Sequence, residues 1–224
     1  MVDYLFIGPL GWEKNIWDWL LKSLKDKTYD FVEYLDEKDE NINEVYLKNM
    51  LEKKIKLVKK TGSIIASSYG SRFLLYCMKS LDLEGRDVIF IEGFEEIPEI
   101  DFIRDSLQGR KEIFKTVDEY LNVMTDEKDR QNLFIVEAVI KTLKQDEDQF
   151  VVKCSNQKME KYLSILAGMK TEVLIENIKK QKGNYTIFSS KKIEGVSYVP
   201  ISEEEHLLML SDPDKIIDVL HHKN

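Results

Sequence analysis

Ser68 stands in the run Ile64-Ile65-Ala66-Ser67-Ser68-Tyr69-Gly70-Ser71, where an apolar stretch gives way to small residues and then to a helical pattern. To turn from strand to helix within a few residues and hold a serine on the bend, the backbone must pass close to itself two positions before and two positions after that serine. Ala66 and Gly70 occupy those positions. The usual arrangement has glycine at both, and Ala66 adds one methyl group to a crowded place. The run reads as a nucleophile elbow. A serine hydroxyl is a poor nucleophile at neutral pH and needs a neighbouring base to take its proton. Of the three histidines, His221 and His222 form a pair in the C-terminal tail. His206 lies in Pro200-Ile201-Ser202-Glu203-Glu204-Glu205-His206-Leu207-Leu208 and is the candidate base. Its bland reading is a surface histidine beside three glutamates.

The elements that must position these residues follow from periodicity. Short, largely apolar runs mark strands at Tyr4–Ile7, Phe31–Leu35, Ser63–Ser67, Val88–Ile91, Tyr185–Phe188 and Val196–Val199. Between the first four lie helical patterns: Trp12, Ile16, Trp19, Leu20 and Leu24 on one face, then Val45, Leu47, Met50, Leu51, Ile55 and Val58, then the nearly all-apolar Ser71–Met78. Strands apolar on both faces and separated by helices predict a parallel sheet covered on both sides. From about residue 94 to 182 the pattern changes to amphipathic helices. Ile113, Val117, Tyr120, Leu121 and Met124 share one face, and Leu133, Val136, Val139, Ile140 and Leu143 another. This stretch reads as a helical insertion, within which Phe150–Cys154 fits either a strand or a helix start. Ser211-Asp212-Pro213 opens a last helix, with proline just inside it after a capping acid.

Composition narrows the function classes. The 224 residues suffice for one sizeable core and carry no sign of a second domain. With 43% hydrophobic and 33% charged residues and no apolar stretch near the roughly 20 residues of a membrane span, the chain is expected to be soluble. The acidic Met1-Val2-Asp3-Tyr4 start does not resemble an export signal, and two widely separated cysteines, Cys77 and Cys154, read as reduced core thiols in a cytoplasmic protein. A net charge of -8 repels nucleic acid and anionic lipid. No metal and no cofactor is called for.

A strand leading into the turn Gly8-Pro9-Leu10-Gly11 and a Trp-bearing helix, then Ala66-Ser67-Ser68-Tyr69-Gly70, then a histidine shortly before the last helix, together resemble the α/β-hydrolases. The resemblance covers the whole chain and implies a mostly parallel sheet of about six strands with helices on both faces, the family's first two strands missing, and residues 94–182 as a cap. It implies Ser68 as nucleophile and His206 as general base. It also implies an oxyanion hole from the N–H of Tyr69, which follows the nucleophile, and an N–H in the turn after the first strand. Pro9 has no N–H, which leaves Leu10; the histidine usual in that turn is absent here.

The acid of the triad is not where the family usually carries it, since Ser189–Gly195 contains no aspartate. Glu194 is the nearest carboxylate and is named first; Glu92, at the end of the fourth strand, is the second option. A Ser-His dyad held by a carbonyl or water is the third. Phe102, Ile103, Phe114, Tyr120 and Met124 fit either an apolar pocket over Ser68 or the cap's own core. Two function classes follow. One is a serine esterase or thioesterase acting on a small acyl substrate, free or on an acyl carrier, with an acyltransferase as its variant. The other is a non-catalytic binding or regulatory module on the same fold.

Overall fold

The computed structural model describes residues 1–35, 37–181, 183–203 and 207–221. Six strands, β1 (Val2–Ile7), β2 (Tyr29–Val32), β3 (Val58–Ser67), β4 (Asp87–Ile91), β8 (Asn184–Ser189) and β9 (Val199–Pro200), form one sheet in the order β2-β1-β3-β4-β8-β9. Every neighbouring pair runs parallel. The sheet is double-faced because the middle of its central strands, Tyr4–Ile7, Ile64–Ala66 and Val88–Ile91, is apolar on both faces. Leu5, Ile7, Ile64, Ala66, Val88 and Phe90 pack into one core, and Phe6, Ile65, Ile89 and Ile91 into the other. The first core is covered by α2 (Glu44–Leu57), α3 (Tyr69–Cys77) and α8 (Thr171–Lys180), the second by α1 (Asp18–Ser23), α9 (Leu208–Ser211) and α10 (Asp214–His221).

Strand order fixes where a site can form. The chain leaves β1 in one direction to reach β2 and lies on the other side of β1 when it returns as β3. The connections after β1 and β3 therefore part company at their carboxyl ends, the switch point at which open α/β sheets hold ligands. Ile7 pairs with Ala66 and Ser67 with Ile91, so the Gly8–Leu10 turn, Ser68 and Glu92 all emerge along one edge.

Several boundaries differ from the sequence reading. Residues 14–17 form a 3-10 turn before α1, which shifts the angular register, so Trp17 is buried against the sheet while Trp19 stacks on Phe134. β3 begins at Val58, not Ser63, and β2 spans Tyr29–Val32 rather than Phe31–Leu35. The last strand is reduced to Val199–Pro200.

Between β4 and β8 the chain forms α4 (Ile100–Gln108), β5 (Ile113–Phe114), α5 (Val117–Met124), α6 (Leu133–Lys141), β6 (Leu143–Asp146), β7 (Gln149–Val152) and α7 (Asn156–Leu166), ahead of α8. It is not all helical. β5, β7 and β6 make a three-stranded antiparallel sheet, tightened by a two-residue turn with Glu147 at φ 51°. Ile113 and Leu143 thus belong to strands. Phe114, Tyr120, Val139, Leu143 and Val152 form a small core of their own. α8 serves the main sheet instead: Leu174, Ile175 and Ile178 enter its core, and Asn177 Nδ2 donates to the Leu75 carbonyl at 2.9 Å. Among the described residues no helix is long and apolar enough to cross a membrane.

Candidate active site

Ser68 has φ 51° and ψ -118°, a region that residues with a Cβ rarely occupy. The strain is held in place from three sides. The Ser68 N–H donates to the Ile91 carbonyl at 2.8 Å, and the Ser68 carbonyl accepts from Arg72 N–H at 3.0 Å as the first turn of α3 closes. Gly93 (φ 92°) presses on the same carbonyl, leaving no room for a Cβ, which would stand 2.5 Å from that oxygen. The bend therefore exists because β3 ends at a paired edge and α3 starts one residue later. Gly70 completes it by lying directly against the end of β1. Ala66 is wholly buried within the sheet and causes no departure from strand geometry.

Ser68 is half-buried and lines a cavity of about 470 Å³ together with Leu10 and Tyr69. Ser68 and the two residues expected to supply oxyanion donors thus line one space. Trp12, Ile97, Ile103, Met159, Leu163 and Leu207 make the rest of the wall mainly apolar, with Arg72, Glu95, Glu96 and Ser106 as its polar members. Of the five pocket candidates from the sequence, Ile103 lines this cavity. Phe114 and Tyr120 belong to the small core of the insertion, Phe102 is exposed, and Met124 lines a neighbouring cavity.

His206 lies outside the described residues. Leu207, next to it in the chain, is part of the cavity wall. The two candidate acids differ in burial. Both line a second cavity of about 480 Å³ that Ser68 does not line, and there Glu194 is exposed. Glu92 is 2% exposed and sits on the residue after β4 with φ 56°, a second strained non-glycine one strand from Ser68. Its N–H donates to the Phe188 carbonyl at 2.9 Å and its Oε1 accepts from Ser190 N–H at 2.6 Å.

Sequence reasoning passed over Arg72. Arg72 is 2% exposed, and its guanidinium donates to the carbonyls of Gly93 (3.5 Å), Glu95 and Met169, tying the cavity-lining loop after β4 to the loop after α7. Burial lowers its pKa, opposed by the charge of Glu96. A lone arginine in an otherwise apolar helix is the available signal, because such a charge must find carbonyl or carboxylate partners inside. Among the described residues no cluster of three or more His, Cys, Asp or Glu is arranged to hold a metal ion.

This sheet order, the strained serine between β3 and α3, and the insertion after β4 make the chain an α/β-hydrolase fold. Solved structures agree in outline. E-2-(acetamidomethylene)succinate hydrolase is 15% identical, with a TM-score of 0.74 covering 98% of this chain and 90% of that one. The thioesterase domain from the curacin biosynthetic pathway is 9% identical, with a TM-score of 0.66 over 98% of this chain and 90% of that one. 1H-3-hydroxy-4-oxoquinoline 2,4-dioxygenase is 10% identical, with a TM-score of 0.64 over 99% of this chain and 91% of that one. Neither a protein-family model nor a curated protein sequence matches the chain. At these identities the likeness fixes the fold, and one fold hosts several chemistries.

Proposed function

We propose that the protein is a serine hydrolase that cleaves a carboxylic ester or acyl thioester. Ser68 Oγ attacks the acyl carbonyl carbon while His206 takes its proton, and the N–H groups of Tyr69 and Leu10 hold the oxyanion. Collapse of the tetrahedral intermediate breaks the bond to the alcohol or thiol, which leaves with the proton from His206. Water then attacks the acyl-enzyme by the same route and releases the acid. We assign the acid that orients His206 to Glu92 ahead of Glu194, because Glu92 is buried and follows β4, the strand paired with the one that carries Ser68, whereas Glu194 is exposed. The substrate is a small acyl compound, free or on an acyl carrier, met in the cytoplasm.

The observation that carries this reading is Ser68 itself: a non-glycine at φ 51°, between β3 and α3, on the wall of a largely apolar cavity. Strain of this kind costs on the order of 1–3 kcal/mol and is a signature of functional sites. The test is a fluorophosphonate probe. Wild type should become labelled, Ser68→Ala should not, and His206→Ala should label far more slowly. A folded wild type that resists the probe would favour the non-catalytic binding module instead.

A further inference from the structure

Trp12 and Leu207 belong to two cavities at once. On one side lies the cavity that contains Ser68; on the other a cavity of about 210 Å³ lined by Met124, Ile135, Val139 and Leu210, with Asp129 and Ser211 as its polar members. The two spaces share a wall. The second lies where the insertion meets the sheet, since Met124, Ile135 and Val139 come from α5 and α6 and Leu210 from α9. Trp12 packs both against the core under the sheet and against the small core of the insertion, as Ile135 does, and of these two it is the one that also lines the Ser68 cavity.

We propose that Trp12 sets the length of acyl chain the protein accepts, by closing the Ser68 cavity against the apolar space beyond it. The inference rests on the serine hydrolase reading, and makes its substrates acyl groups that end at the indole. Two features support this. The wall they share is apolar, Trp12 and Leu207, and it continues into Met159 and Leu163 on one side and Ile135 and Val139 on the other, so a hydrocarbon chain suits the path between them, while Arg72, Glu95, Glu96 and Ser106 line the Ser68 cavity as well. Trp12 and Leu207 are the residues common to both walls, so a smaller residue at position 12 is expected to open one space toward the other. Each methylene that enters such a space is expected to raise affinity about fourfold until the wall is met.

The test is calorimetric titration with saturated fatty acids of graded length, which are reaction products and are not turned over. In wild type, affinity should climb with each methylene and then stop at a sharp break. Trp12→Ala should move the break to longer chains, with gains of tenfold or more for acids beyond the wild-type limit; Trp12→Phe should move it less. Met124→Trp, at a partly exposed position, should leave the wild-type break in place but cancel the gain when combined with Trp12→Ala. A break that stays put in both Trp12 variants, or a wild-type profile with no break, overturns the proposal. Failure of the hydrolase reading shows separately, as absence of fluorophosphonate labelling.

Discussion

Gly70 and Gly8 meet so closely that a Cβ on Gly70 would stand 2.6 Å from the Gly8 carbonyl oxygen, and equally close to that of Ile7. The obstacle is backbone at the end of a central strand, which cannot swing aside. Gly70→Ala must therefore push α3 away from β1, at a cost of about 1–3 kcal/mol. The displacement falls between Ser68 and the Leu10 turn. The variant should show a lowered urea midpoint and, under conditions where it is fully folded, slower labelling of Ser68. Normal labelling would mean that the elbow tolerates separation from β1.

Gly93 is predicted to be less tolerant still. A side chain there meets the Ser68 carbonyl at 2.5 Å and Ser71 Cβ at 2.7 Å, and the φ of 92° is strained for any residue with a Cβ. Overlap and backbone strain add, so Gly93→Ala should lose more stability than Gly70→Ala. Denaturant melts of the two variants side by side decide the order.

Tyr69 links the elbow to the insertion. Its hydroxyl donates to the Tyr162 carbonyl on α7 at 2.9 Å, and the Tyr162 hydroxyl donates to the Tyr34 carbonyl at 2.6 Å; the three rings pack edge to face. α7 also carries Met159 and Leu163 of the cavity wall. Tyr69→Phe keeps the ring and removes one buried hydrogen bond, at an expected loss of about 1 kcal/mol. Hydrogen exchange should quicken in α7 while the core of β3 and β4 stays protected. Unchanged exchange in α7 would rule out this link as its anchor.

The sheet was legible because its strands are apolar on both faces, a pattern that residues 63–67 and 88–91 carry without ambiguity. The elbow was legible because Gly70 and Ser68 fall at the spacing a tight strand-to-helix bend demands. Elsewhere periodicity failed for physical reasons. The 3-10 turn at 14–17 rotated the register and exchanged Trp19 for Trp17. Ile113 and Leu143 fit a helical stripe but pair as strands, because a short strand has too few residues for its period to show. Glu92 drew notice only as an alternative acid: neither its burial nor its positive φ is written locally. Its N–H is held by the Phe188 carbonyl and its carboxylate by the Ser190 N–H, partners nearly a hundred residues further along the chain.

The assignment of the acid separates Glu92 from Glu194 cleanly. Glu92→Gln keeps the size of the side chain and an oxygen able to accept the Ser190 N–H, so the fold should survive. Loss of the carboxylate that orients His206 should slow ester turnover on the order of 10³–10⁴-fold. Glu194→Gln alters an exposed side chain and should leave turnover unchanged. The reverse outcome would return the role to Glu194. Near-normal turnover in both variants would favour a dyad.

Burial also dictates how stability responds to alkali. The thiols of Cys77 and Cys154 are pushed up by desolvation to about 12 and about 11, against about 8.5 for an unfolded cysteine. A thiol harder to ionise in the folded state contributes fully below about pH 8.5 and loses that contribution as pH rises toward the folded values. Each should withdraw on the order of 1 kcal/mol per pH unit above about 8.5. Burial raises the buried tyrosines Tyr34 and Tyr69 as well, which steepens the fall at higher pH. Urea midpoints should hold level through neutral pH and drop above about pH 9, and Cys77→Ala/Cys154→Ala, though less stable at neutrality, should trace a shallower decline. At neutral pH neither native thiol should react with Ellman's reagent until the chain is unfolded. Rapid reaction in the folded state would show that the thiols are not shielded from solvent.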